Sequence, residues 1–234
     1  MEGKYTYEDF LDIVAKLRSE EGCPWDRAQT HESLRPCMLE ETYEFFASLR
    51  ILKETGSGEN MCEELGDMLL QVVMQSRIAE EEGLFTMEDV VHEISRKMIR
   101  RHPHVFGNET VAGAGEVPGN WEEIKRKEKE EKTWIATPLR EIPEEQPALT
   151  RASKVLKKIN KVYEPIPDYE KSLEEIKACV LRMEAKGEQI SREELHRELA
   201  GILMGVSAIA AEKSVYTEQL LIDTVEEVIR SHGE

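Results

Sequence analysis

The 234-residue chain has no CxxC pair, no run of alternating apolar and polar residues, and no apolar stretch near the roughly 20 residues that cross a bilayer. Without CxxC spacing, Cys23, Cys37, Cys62 and Cys179 form neither a zinc ribbon nor a redox pair and are expected as buried thiols. The missing alternation argues against strands, and the least polar stretch, Gly201 to Ala211, is far too short to span a membrane. Positive charge is also scarce. Lys and Arg number 31 against 48 Asp and Glu, a formal net charge of −17 that repels nucleic-acid phosphates and anionic membranes, so neither partner is expected. Met1-Glu2-Gly3-Lys4 begins no apolar signal region, which gives the expectation of a soluble, cytoplasmic protein.

What is present is helical periodicity and, at 40% hydrophobic residues, enough apolar surface for one or two domains. Phe10, Leu11, Val14 and Leu17 keep one face through Tyr7 to Arg18. A second helix is expected from about Glu32 to Leu52, interrupted or started late by Pro36, with a turn at Gly56 and Gly58. A third runs from about Met61 to Glu82. Its middle, Met68 to Met74, is apolar nearly all round and is expected at the centre of a helix bundle. Thr86 and Asp89 have the spacing of a capping pair for a fourth helix, stopped by Pro103. The chain therefore reads as all-α, with a Gly- and Pro-rich connector around the charged helical run Trp121 to Lys132. Phe85 to Val91 is echoed by Tyr216 to Ile222, and Glu64-Leu65-Gly66-Asp67 by Glu198-Leu199-Ala200-Gly201, which points to a divergent duplication of one helical unit. The expected layout is a catalytic unit over 1–110, a connector over 111–146 and a second unit over 147–234.

Two acidic ridges carry the chemistry. Glu44 shares a helix face with Glu40 and Glu41, and Glu64 and Asp67 repeat the three-residue spacing on the next helix. Like charges so placed oppose one another unless a cation neutralises them, and carboxylates converging from adjacent helices suit a hard cation, Mg²⁺ or Mn²⁺. The fourth helix supplies the complement. Arg96, Lys97, Arg100 and Arg101 cluster near its end, with Lys97 and Arg101 one turn apart, as donors for a polyphosphate. Trp121 and Lys125 could set an indole against a nucleobase and an ammonium near phosphate or sugar.

Gly22-Cys23-Pro24-Trp25-Asp26, Gln29-Thr30-His31, Glu40-Glu41-x-x-Glu44, Glu64-Leu65-Gly66-Asp67, Arg100-Arg101-His102-Pro103-His104-Val105-Phe106 and Asn120-Trp121 stand in the order found in the MazG family of nucleoside triphosphate pyrophosphohydrolases. The sequence resembles that family closely over residues 1 to about 160 and loosely beyond. The resemblance implies an all-α fold whose helix bundle is completed in a homodimer, Mg²⁺ dependence, and hydrolysis of nucleoside triphosphates to monophosphate and pyrophosphate, house-cleaning of the nucleotide pool being the role it suggests. It further implies Glu41, Glu44, Glu64 and Asp67 as metal ligands, and Lys97, Arg101, Trp121 and Lys125 as substrate contacts. Glu40 is open between a further ligand and an outer-shell base.

The second unit departs from the pattern: Ala178 stands where a third glutamate belongs, and Gly201 where the aspartate belongs. Neither side chain can coordinate a hard cation, so this unit is expected to serve packing, dimerisation or regulation. Two rival readings exist. A di-iron or di-manganese bundle needs ExxH motifs from paired helices, and only Glu193 with His196 has that spacing. A non-catalytic interaction protein would use its acidic faces for solvation alone.

Overall fold

The computed structural model of the protein describes residues 3–107, Glu128 and 137–233. The fold is all-α, with no strand among the described residues. Two compact units divide the chain, Met1–Lys127 and Glu128–Glu234. Trp121, Lys125 and most of the expected connector lie outside the described residues.

In the first unit, α1 (Tyr7–Leu17) is opened by a capping box in which Thr6 and Asp9 satisfy each other's backbone N–H groups. After the short α2 (Pro24–Arg27) comes α3 (Arg35–Thr55), which starts late, as Pro36 requires, because proline fits the first turn, where its missing N–H has no intrahelical acceptor. Gly56, at φ +73°, ends α3 in the left-handed conformation that glycine adopts without strain, and α4 (Glu59–Glu81) follows. The predicted Thr86–Asp89 box opens α5 (Met87–Arg101), and α6 (Pro103–Phe106) is a single turn after it.

Helix α4 is the hub, packing against α1, α3 and α5. Its Val73, Met74 and Ile78 bury with Val14 and Leu34, and Phe10, Leu11, Leu70 and Met87 close over them. Each such side chain contributes about 1.5–3 kcal/mol. The expectation of a fully buried Met68–Met74 run needs correction, because Leu69 is 38% exposed and Leu65, one turn earlier, 45%. Among the described residues of the first unit, the helices packed on α4 leave that face exposed. Buried Arg18 ties α1 to α4 and to the loop after α2. Its Nε and Nη2 donate to Glu81, and its Nη1 donates to the carbonyls of Asp26 at 2.6 Å and Gln29 at 3.1 Å. The turn between α1 and α2 needs Gly22, where a Cβ would fall 2.2 Å from the Lys16 carbonyl oxygen.

From residue 137 on, the second unit has a 3₁₀ turn (Pro138–Glu141), α7 (Ala148–Val162), α8 (Tyr169–Lys186), α9 (Arg192–Lys213) and α10 (Thr217–Gly233). Helix α9 packs on both α7 and α8, burying Ala208 and Ala211 with Leu156. Gly205 permits the close approach of α8, since a Cβ there would meet Ile176 at 2.7 Å. Of the four cysteines expected to be buried, Cys179 is buried, Cys62 is exposed, and Cys23 and Cys37 are intermediate. Cys62 falls on the solvent side of the first turns of α4, where no described helix covers it. Among the described residues no single helix is long and apolar enough to cross a membrane.

Candidate functional site

The α3–α4 hairpin places the two acidic ridges opposite each other. Glu41 from α3 and Glu64 and Asp67 from α4 each offer a carboxylate oxygen, all within 4.8 Å of one another. Glu64 is only 9% exposed, whereas Glu41 and Asp67 are half-buried. The Glu41 carboxyl is held above the usual carboxylate range, first by burial and then by the negative charges of Asp67, Glu44, Glu40 and Glu64. Three carboxylates with no basic side chain among the causes acting on Glu41 form a concentrated hard-oxygen donor set, the chemistry that Mg²⁺ and Mn²⁺ take.

Glu44 stands outside this trio. With Glu40 it borders an open depression of about 590 Å³ along α3, together with Leu39, Tyr43 and Ala47. Lys97 and Arg101 sit one turn apart and half-buried on α5, the helix that packs against α4. His102 acts as a cap, its Nδ1 donating to the Met98 carbonyl at 2.6 Å. One contact escaped the sequence reading: Asn60 Nδ2 donates to Glu64 Oε1 at 2.8 Å. The i, i+4 spacing of the two residues is the signal that could have found it.

The corresponding place in the second unit is filled differently. Glu198, the echo of Glu64, accepts from the Arg182 guanidinium, whose Nε lies 2.9 Å and Nη2 2.7 Å from Oε2. That pairing holds the Glu198 carboxyl below its usual range. Arg182 Nη2 also lies 3.2 Å from the Sγ of Cys179, whose thiol is pushed up chiefly by burial. At Gly201, the echo of Asp67, even a Cβ would come within 2.8 Å of that sulfur.

Residues 29–106, which run from the loop before α3 through α6, match the MazG nucleotide pyrophosphohydrolase domain. The chain is 39% identical to the nucleoside triphosphate pyrophosphohydrolase/pyrophosphatase MazG of Thermotoga maritima over 219 residues, 92% of this chain and 79% of that protein. It is 39% identical to the nucleoside triphosphate pyrophosphohydrolase of Escherichia coli K12 over 173 residues, 68% of this chain and 64% of that protein. A 43% identity to the uncharacterized protein YabN of Bacillus subtilis extends over 65% of this chain but only 30% of that longer protein. The chain belongs to the MazG family of nucleotide pyrophosphohydrolases, and is thereby an enzyme of the class that hydrolyses phosphoric anhydrides.

Proposed function

We propose that this protein hydrolyses nucleoside triphosphates to the monophosphate and pyrophosphate, using Mg²⁺ with Mn²⁺ as a substitute, and that the chemistry belongs to the first unit. The observation that carries the reading is the convergence of Glu41, Glu64 and Asp67 from two helices. A face serving solvation alone would not bury Glu64, which disfavours the non-catalytic alternative. Glu44, one turn from Glu41 on α3, completes the ligand set in this proposal. A cation held there supplies a water of lowered pKa and neutralises charge on the phosphates. Lys97 and Arg101 stabilise negative charge on the polyphosphate, and Trp121 and Lys125 are assigned to base and phosphate or sugar. Attack falls on the α-phosphorus, with pyrophosphate as leaving group. Glu40, outside the trio and one residue before Glu41 on α3, is assigned as an outer-shell group.

The proposal extends to assembly and setting. Exposed Leu65 and Leu69 on α4, and Leu39, Tyr43 and Phe46 on α3, support a homodimer that completes the bundle around the site. The helical hairpin α3–α4 and the pair α8–α9 support a duplicated unit over 1–110 and 147–234 joined by a connector, the second copy now serving packing or assembly. House-cleaning of the nucleotide pool in the cytoplasm is the role proposed. The net charge of −17 favours free nucleotides over nucleic acid or membrane as partners.

Chromatography of the nucleotides formed from ATP tests the reaction. AMP with pyrophosphate is expected in the presence of Mg²⁺ and none in EDTA, whereas ADP with phosphate would assign attack to the γ-phosphorus and overturn the proposal.

A further inference from the structure

Glu64 and its echo Glu198 are both nearly inaccessible carboxylates on the helix after a hairpin turn, yet they are held by opposite kinds of partner. Glu198 accepts from a guanidinium, and its charge is neutralised within the fold. Glu64 accepts from the amide of Asn60, one turn back on α4 and itself half-buried. An amide N–H orients a carboxylate without cancelling its charge. A carboxylate has about four lone-pair sites, so one bond to Oε1 leaves Oε2 and a further lone pair on Oε1 for another ligand.

We infer that Asn60 is a positioning residue: its Nδ2 donates to Glu64 Oε1, fixes the rotamer that brings the Glu64 carboxylate towards Glu41 and Asp67, and leaves its full negative charge for a divalent cation. The inference rests on the metal reading proposed above. Three features of the bond support the role. It lies within one helix, so its geometry does not depend on assembly. Its distance, 2.8 Å, is that of a strong N–H···O⁻ bond. Its donor carries no charge, so it does not compete with a cation for Glu64 as a lysine or arginine at position 60 would. Outer-shell partners of metal ligands act in this way, by restricting the ligand to its binding conformation before the metal arrives.

The full-length protein, with Mn²⁺ as the probe followed by electron paramagnetic resonance, provides the test. Asn60→Leu keeps the side-chain shape but deletes the donor, and is expected to weaken Mn²⁺ binding about 10-fold to 100-fold. Asn60→Gln retains an amide at a spacing that still reaches Glu64, and should recover most of the affinity. Metal-free melting temperature should fall modestly in Asn60→Leu, which takes this donor from a nearly inaccessible carboxylate, and should be restored in Asn60→Gln. Unchanged Mn²⁺ affinity in Asn60→Leu would overturn the inference. So would a loss accompanied by a lowered metal-free melting temperature that Gln fails to restore, since that marks a structural role. Glu64→Gln separates the two levels: if wild type binds no Mn²⁺, or Glu64→Gln binds as wild type does, the metal reading itself fails.

Discussion

Replacing Glu41 by Gln should change stability in opposite directions with and without metal. The ligand atoms of Glu41, Glu64 and Asp67 lie within 4.8 Å of one another. At an effective dielectric constant of ~20, two unit charges at that distance repel by about 3.5 kcal/mol. Water on the half-exposed flank of Glu41 screens this, and about 1 kcal/mol is a reasonable net cost. Glu41→Gln removes that cost, so the metal-free variant should melt about 2–4 °C above wild type, the shift that about 1 kcal/mol produces in a chain of this size. The sign with pH follows from the raised Glu41 pKa. Its contribution is fully present below the ordinary carboxylate range and is lost as pH rises through the raised value, so metal-free wild type should weaken over that interval and the variant should not. With Mg²⁺ at 100 times its dissociation constant, wild type should gain about 2.7 kcal/mol, or about 5–11 °C. A site weakened tenfold by loss of a ligand retains only about 1.4 kcal/mol of that gain. Differential scanning calorimetry in EDTA and in Mg²⁺, from pH 4 to 8, reads all of these shifts. A metal-free variant that melts below wild type, or one that keeps the full Mg²⁺ shift, would refute the reasoning.

The two units should answer the same substitution differently: Glu64→Gln should lower pyrophosphate release at least about 100-fold, beyond what an outer-shell partner costs, while Glu198→Gln should leave it within about twofold. Equal losses in a steady-state assay would place chemistry in both units. Arg18→Leu strips the donors from the carbonyls of Asp26 and Gln29 and from Glu81, and should cost about 2–4 kcal/mol in urea unfolding at neutral pH. Arg18 holds the Glu81 carboxyl below its usual range, so this pair stabilises above the ordinary Glu pKa and its benefit is lost as pH falls through the lowered value. The deficit of the variant should therefore shrink in acid, and a deficit that grows there would contradict the assignment.

Helix positions and the acidic hairpin were legible in the sequence because both depend on local rules. The Thr86–Asp89 capping box, the Pro36 start of α3 and the Gly56 stop are one-turn effects, and three-residue spacing alone places Glu64 and Asp67 on adjoining turns of one helix. What escaped depends on contacts distant in sequence. Leu69 read as core because its stretch of helix is apolar nearly all round, but nothing in the pattern says how many neighbours one chain supplies. Cys62 follows the same logic, since a thiol's burial depends on what packs over it. Arg182 was invisible beside Glu198 because the two are 16 residues apart and meet only once α8 and α9 pack. Asn60 was within reach of helix arithmetic, yet a polar residue near a helix start attracts no notice until its partner is known to be functional.

The filling of the second unit has a historical consequence. If both units descend from one metal-binding ancestor, the route back is closed by packing as well as by lost ligands. An aspartate at position 201 would first have to displace the Cys179 sulfur, 2.8 Å from the position of its Cβ. A glutamate at position 178 would find the Glu198 carboxylate already satisfied by Arg182. Removing Arg182 alone would leave buried Glu198 with only the more distant Arg197 guanidinium, 3.7 Å from its Oε1, among the described residues. On that descent, the guanidinium and the thiol would both have to give way, together with the return of the two missing ligands, before the second unit could hold a cation.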